Sequence, residues 1–311
     1  MGNWIWLVVA AQFILAIVSL IDKYLLTSKK IEKPFVLSFF VSILTAFSLV
    51  IYLPSLLGIS IKGIQLPSIF NIGRPDITMI AMALVAGYTF FYSLVPLYTS
   101  LREADASDII PVVGAISAIT TFILNFVIFG SALAPNSFLG FVLLILGTVL
   151  ISSLRLNNHV VLMCINAGVL FALQAVMMKS MFSLSSFDHA FFWSRMGTLV
   201  VVGSLLLVPR YYGKIITNVR RTRVSGGAMV IGKTILAGFA SIMILKAIEF
   251  GNVTIVQSLG GLQFIFLMFF ALVLGKSTPI NFGENNICYR GALQKVVSII
   301  SISLGFYLLF F

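Results

Sequence analysis

Lys233 is the charged side chain of this chain best placed to do chemistry. It stands inside an apolar run, ten residues after Arg223 and thirteen before Lys246. At 1.5 Å of rise per helical residue, that is about 15 Å from the nearer helix end. An ammonium so deep in hydrocarbon costs at least about 2.5–3.5 kcal/mol on insertion scales. Two readings account for it: a cavity cation that meets an anionic or carboxylate-bearing solute, or a lysine paired with a helix-end carbonyl or a neighbouring side chain. Arg195 lies seven residues into its own run, about 10 Å deep by the same rise. It is a further candidate for solute contact, and is also long enough to reach the interface or to pair with Asp188. Lys179 falls near the far end of a run that starts at Val160, where snorkelling is the default. Gln12, Gln174, Gln257 and Gln263, with Asn125 and Asn166, are uncharged polar residues inside apolar runs. Each either bonds a neighbouring helix, worth about 0.6 kcal/mol in one membrane protein, or touches a solute.

Other chemistry is excluded by what is missing. The nine acidic residues all read as loop or helix-end positions, Glu103, Asp105 and Asp108 lying around one turn. That disfavours coupling through a carboxylate in mid-membrane. His159 and His189 stand at helix ends, and no two acids share an apolar run. No catalytic residue, metal site or cofactor is expected, and the chain does not read as an enzyme. Cys164 and Cys288 form neither a disulfide framework nor a metal-ligand spacing.

The elements that hold these residues follow from composition. Of 311 residues, 60% are hydrophobic and 9% charged, with a mean hydropathy of +1.11. A soluble domain needs far more charge to cover itself, so the solvent is the lipid bilayer. The net charge of +11 does not indicate nucleic acid, because the basic residues sit in short connections between apolar runs, where they orient helices and meet anionic headgroups. The runs fall at 3–21, 34–54, 77–101, 106–130, 135–153, 160–183, 188–208, 225–248, 252–275 and 293–311. Their length without strict alternation selects helices over barrel strands. No basic residue precedes the first run and no small-residue cleavage site closes it, so it is read as a retained helix, with Trp4 and Trp6 as interfacial anchors.

The ten runs divide into two halves, 1–154 and 158–311. The stretch from Ile31 through Glu32, Lys33, Pro34 and Phe35 to Ser38 aligns with that from Phe187 through Asp188, His189, Ala190 and Phe191 to Ser194. At the same offset Lys23 lies opposite Lys179. Five spans per half oblige the second half to enter the membrane upside down. The charge follows: loop 22–33 has four lysines and its counterpart 184–187 none, while loop 209–224 has five basic residues against Lys62 and Arg74 in 55–76. This is an inverted repeat read from the positive-inside bias. Taken literally, the bias puts loops 22–33, 102–105, 154–159, 209–224 and 276–292 in the cytoplasm and both termini outside. Small residues four apart, Ala83 with Gly87, Gly114 with Ala118, Ala237 with Ser241 and Ser301 with Gly305, mark faces for close helix approach. Tyr88, Tyr92 and Tyr98, at near-helical spacing, either line a cavity wall or pack.

Ser100, Leu101, Arg102, Glu103, Ala104, Asp105, Ala106 and Ser107 lead into the run containing Pro111, with Gly140 and Gly147 in the next. Ala247 to Thr254, then Gly260 and Gly261, form a weaker copy in the second half. This pattern resembles the repeating unit of the drug/metabolite transporter superfamily, specifically its EamA-like members, over nearly the whole chain. Lys23 and Lys179 match a lysine that often closes the first helix of each unit, and Arg195 an arginine common in the second helix. The chain departs from that pattern where Ser131 follows Gly130 and Lys276 follows Gly275, and where Phe39 stands opposite Arg195. The resemblance implies an all-α polytopic membrane protein with about ten transmembrane helices in two inverted five-helix repeats, in the cell membrane. It further implies alternating access of small metabolites to a midplane cavity bordered by the helices of Gln12, Gln174, Gln257 and Gln263. With Lys233 there, the expected partner is an anionic or zwitterionic small-molecule solute. A lipid or lipid-linked-sugar flippase, or a non-transporting partner subunit, is the alternative. Oligomeric state is open.

Overall fold

The structure is a computed structural model that describes residues 4–28, 33–57, 67–130, 134–152, 157–221, 224–274 and 289–310. Lys29, Lys30, Glu32, Lys62, Ser131, Arg223, Gly275, Lys276 and Cys288 lie outside the described residues. Thirteen helices follow one another among the described residues: α1 (Trp4–Thr27), α2 (Pro34–Ala46), α3 (Leu53–Leu56), α4 (Ile77–Glu103), α5 (Ala106–Phe129), α6 (Pro135–Ser152), α7 (Asn158–Leu184), α8 (Phe187–Ser204), α9 (Pro209–Arg221), α10 (Val224–Phe250), α11 (Val253–Ser258), α12 (Leu262–Leu274) and α13 (Tyr289–Phe310). Turns of 3-10 helix at Phe47–Tyr52 and Leu259–Gly261 join α2 to α3 and α11 to α12. Eight helical segments are long and apolar enough to cross a membrane, and α6 and α13 contain shorter apolar stretches, Ser137–Leu150 and Val297–Leu308. The protein is an integral, multi-pass, all-helical membrane protein.

The helix ends are set by local chemistry. Pro34 opens α2, where its missing N–H is no loss. The Asp76 carboxylate accepts from the Met79 N–H at 2.8 Å and the Asn252 side chain from the Thr254 N–H at 2.9 Å, satisfying donors that a helix start leaves orphaned. Gly130 closes α5 at φ 61°, a left-handed conformation that suits glycine.

Two differences from the expected boundaries matter most. The first run was expected to end at residue 21, yet α1 continues to Thr27. Leu25 and Leu26 are buried there, extending the apolar face beyond Asp22 and Lys23. The segment 209–224, expected as a basic loop, holds α9. Tyr211 stacks on Phe35 with ring centroids 5.2 Å apart, and Ile215 is buried among Phe39, Phe91, Val202 and Leu205, while Arg210 is exposed. Apolar residues four apart on one side and basic residues between them are the pattern of an interfacial helix.

The two largest apolar clusters among the described residues lie one toward each face. At the first face, where α1 and α4 end and α2, α5, α7 and α10 begin, Leu25, Leu37, Leu101, Ile109, Val160 and Val230 pack together. At the second face Val8, Met79, Met178, Phe191, Leu245 and Phe264 do the same. Glycines set the closest crossings. A Cβ on Gly197 of α8 would run into the Ala83 carbonyl oxygen of α4, and one on Gly87 would lie 2.6 Å from the Thr198 nitrogen. Gly305 of α13 meets the Gly140 carbonyl of α6 at 2.8 Å in the same sense. The faces at Ala83/Gly87 and Ser301/Gly305 are therefore contact faces as expected, whereas Gly114 has nothing within 4 Å.

Gly197→Ala should lower the melting temperature of the detergent-solubilised protein, because overpacking a close backbone crossing costs about 1–3 kcal/mol. Gly203→Ala, in the same helix with nothing within 4 Å of its added carbon, should leave it unchanged or raise it. Equal shifts in the two variants would contradict the crossing.

Candidate functional site

Lys233 is 2% exposed, and its ammonium is paired with the Asp22 carboxylate. It also donates to the Tyr98 hydroxyl at 3.1 Å, with the ring centroid at 5.0 Å. The three residues come from α10, α1 and α4, so one contact ties the second half of the chain to the first. Asp22 lies five residues before the end of α1, Tyr98 five before the end of α4 and Lys233 nine after the start of α10. All three therefore occupy one layer roughly 7–14 Å below the first face. Of the two readings the sequence left for Lys233, pairing with a neighbouring side chain is the state seen. The expectation that every acid lies in a loop or at a helix end is corrected by Asp22, which is 5% exposed inside α1. Its physical reason is the neutralising ammonium, which lets the helix run on past a carboxylate.

Lys23, the next residue, turns away from that pair. Its ammonium donates to the Leu101 carbonyl at 3.0 Å and the Ala104 carbonyl at 2.7 Å, at the end of α4, and stands 3.8 Å from Asp105. Lys179 near the end of α7 makes the matching contact in the second half, donating to Ile248, Glu249 and Gly251 carbonyls at 2.9, 3.1 and 3.0 Å, at the end of α10. The last carbonyls of a helix have no partner within it and carry its negative dipole end. A lysine from a neighbouring helix satisfies both needs. Lys179 thus caps a helix rather than snorkelling.

Arg195 is 4% exposed and does not pair with Asp188. Its guanidinium donates to Ser241 Oγ of α10 at 3.1 Å and lies 4.8 Å from the Phe191 ring centroid, and its Nε finds no partner among the described residues. Asp188 lies two helical turns away, about 10 Å along α8, and is claimed by the 67–73 segment. Its carboxylate accepts from the Ser68 N–H at 3.0 Å and the Asn71 amide at 2.8 Å, while its backbone oxygen accepts from the Tyr52 hydroxyl at 2.8 Å. His189 Nδ1 accepts from the Gly73 N–H at 3.0 Å, and Trp193 Nε1 donates to the Gly73 carbonyl at 3.3 Å. These bonds clasp Tyr52 and residues 68–73 of the first half to the start of α8 at the second face.

The glutamines divide. Gln263 donates to Ser19 Oγ at 2.8 Å, linking α12 to α1. Gln12 is buried and its Oε1 has no partner among the described residues. Gln174 and Gln257 are half-buried and make no side-chain bond among the described residues. The six expected solute contacts are therefore dispersed over α1, α7, α8, α10, α11 and α12. One cavity of about 560 Å³ opens between α2 and α10, lined by Leu44, Phe47, Val50, Ile231, Thr234 and Phe239 among others. A second, of about 300 Å³, lies between α4 and α7, where Tyr88, Tyr92 and Asn166 contribute. Neither is lined by any of the six residues. The residues that sequence reading missed are Asp22 and the joining role of Tyr98. The signal for Asp22 was the apolar Tyr24-Leu25-Leu26 stretch after it, which keeps the helix going.

Removing one partner of a buried ion pair costs about 3–5 kcal/mol, because it strands the other charge, whereas replacing both is far milder. Asp22→Asn and Lys233→Met should each lower thermal stability, and the double variant should recover most of the loss. Additive losses in this double-mutant cycle would show that the pair contributes no coupling.

No family model matches this chain, and no curated protein matches it. Twenty-seven solved chains resemble it in fold. One, titled only "Crystal structure of protein", covers 96% of this chain and 96% of its own at 13% identity, with a TM-score of 0.58. At that identity the likeness is one of fold alone, shared over nearly the whole length of both chains.

Proposed function

We propose that this chain is a transporter of small metabolites, an EamA-like member of the drug/metabolite transporter superfamily, working by alternating access between two inverted five-helix halves. In this reading α6 and α13 also cross the membrane, giving ten spans, and the halves are 1–154 and 158–311. Helix packing supports the two-fold relation. The first helix of each half packs on the third span of the other, α1 on α10 and α7 on α4. The second spans, α2 and α8, pair with each other, as do the last, α6 and α13. Lys23 and Lys179 cap the ends of equivalent helices at opposite faces.

The observation that carries the functional reading is that the halves are joined by polar closures at both faces. Asp22 and Tyr98 meet Lys233 near the first, and Tyr52, Ser68 and Asn71 meet Asp188 at the second. A rigid structural bundle needs no polar residues between its halves, since burying ions offers little net stability. A carrier needs contacts that one rocking motion can break at one face while the other stays shut. The polar groups between the closures, Gln12, Gln174, Gln257, Gln263 and Arg195, are assigned to the solute path, and Lys233 to an anionic or zwitterionic group on the solute.

A second reading draws on the groove between α2 and α10. It is open to the side, about 560 Å³ in volume and almost wholly apolar, which is the form a flippase would offer an acyl chain. Counterflow into liposomes containing the purified protein separates the two. Radiolabelled carboxylates, amino acids and phosphorylated metabolites should exchange, and Lys233→Met should cut the rate about tenfold or more at matched protein levels. Exchange confined to cationic compounds, or an unchanged rate in Lys233→Met, would count against the carrier assigned here. Movement of a fluorescent lipid without solute exchange would favour the flippase.

A further inference from the structure

The interior below the first face is electrically balanced, and that balance limits what can enter. Asp22 and Lys233 bring one negative and one positive charge, and Tyr98 adds a neutral hydroxyl from α4. The surrounding groups are otherwise engaged. Lys23 on α1 is held by the Leu101 and Ala104 carbonyls and lies 3.8 Å from Asp105 of α5's start, with Asp108 one turn on. From α7, Cys164 faces Ser100 at 3.7 Å. At the surface Glu103 lies within 3.8 Å of Arg102 and 3.4 Å of His159. Pro34–Ala46 of α2 and residues 262–270 of α12 carry no titratable side chain.

An anion that binds the Lys233 ammonium must push the Asp22 carboxylate off it. Two negative groups would then share one positive group in a buried layer, leaving a net charge of minus one. An uncompensated buried charge is among the most expensive states a protein interior can adopt. One proton restores neutrality. We propose that Asp22 and Lys233 form a proton-linked anion site, in which a monoanionic solute binds Lys233 together with one proton taken up on Asp22. The proton comes from the water of the open face and bonds to an Asp22 carboxylate oxygen. The ion pair breaks, the anion takes its place on the ammonium, and the layer holds one positive and one negative charge as before. The Tyr98 hydroxyl, 3.1 Å from the ammonium, keeps a neutral partner on Lys233 throughout. A zwitterion adds no net charge, so its binding needs no proton. The proposal rests on the carrier reading for the solute's route, but its linkage of proton to anion is a property of binding alone.

The test measures binding of lactate and of alanine to the purified full-length protein as a function of pH, over a range in which each probe keeps its charge. Lactate affinity should weaken about tenfold per pH unit once Asp22 is ionised in the free protein, while alanine affinity stays flat. Asp22→Asn, which carries the neutral state permanently, should bind lactate with no pH slope. A flat lactate profile in the natural protein overturns the proposal. So does an equal slope for alanine, a retained slope in Asp22→Asn, or no lactate binding to that variant once folded. Should Asp22→Asn not fold, the natural protein's two profiles decide. Liposomes separate this proposal from the carrier reading. Sloped binding without any flux removes the carrier and keeps the site, whereas lactate flux without proton uptake removes the site and keeps the carrier.

Discussion

The buried charges and helix ends of this protein are governed by one constraint: in a medium without water, a charge or an unpaired backbone group must be satisfied where it stands. The apolar surface creates no preference among helix arrangements, because lipid is as apolar as the side chains. Close crossings at small residues set how near helices come, and the few buried polar groups add particular ties between them. Lys233 fixes α10 against α1 and α4 by pairing with Asp22 and Tyr98. Arg195 fixes α8 against the same α10 through Ser241, eight residues further along. One helix of the second half is thus held at two depths by partners on three others.

The same constraint explains why two lysines on first helices reach sideways rather than outward. A helix that ends near lipid exposes carbonyls with no partner, and a short connection leaves no room for a conventional cap. The links from α4 to α5 and from α10 to α11 are two residues long, 104–105 and 251–252. In both places a lysine from a neighbouring helix supplies donors, Lys23 at the first and Lys179 at the second. Neither lysine is replaceable by length alone, since three carbonyls around one ammonium use all its donors in the Lys179 case.

How much of this was legible in the sequence depended on range. The helices are a local property: each is an apolar run long enough to span lipid, and the close faces at Ala83, Gly87 and Gly305 announce themselves by small residues four apart. The glycines that received those faces, Gly197 and Gly140, were not paired with them in advance, because crossing partners are set by tertiary contacts. Asp22 reads as a loop residue, because a carboxylate beside a lysine at the end of an apolar run marks a boundary. Only the ammonium of Lys233, 211 positions away in the chain, makes a helix through Asp22 tolerable. Arg195 shows the reverse error. Asp188 was the obvious local partner, but residues 68–71 reach it first.

The two sets of polar contacts are chemically unlike, and in the proposed carrier that difference decides which face opens more readily. The second-face clasp uses backbone amides, an asparagine and a tyrosine around Asp188, and lies at a helix end beside a connecting segment, where water can replace each bond as it opens. The first-face closure is an ion pair sunk below an apolar layer of Leu25, Leu37, Leu101 and Ile109. Water cannot compensate it without that layer parting. Opening the second face exchanges one set of hydrogen bonds for another and is cheap, whereas opening the first exposes two charges that were paired. A ligand that binds either member of that pair lowers only the second cost. In the carrier proposed above, the buried pair would be the element through which a solute gains control of the cycle, by its depth rather than its charge alone.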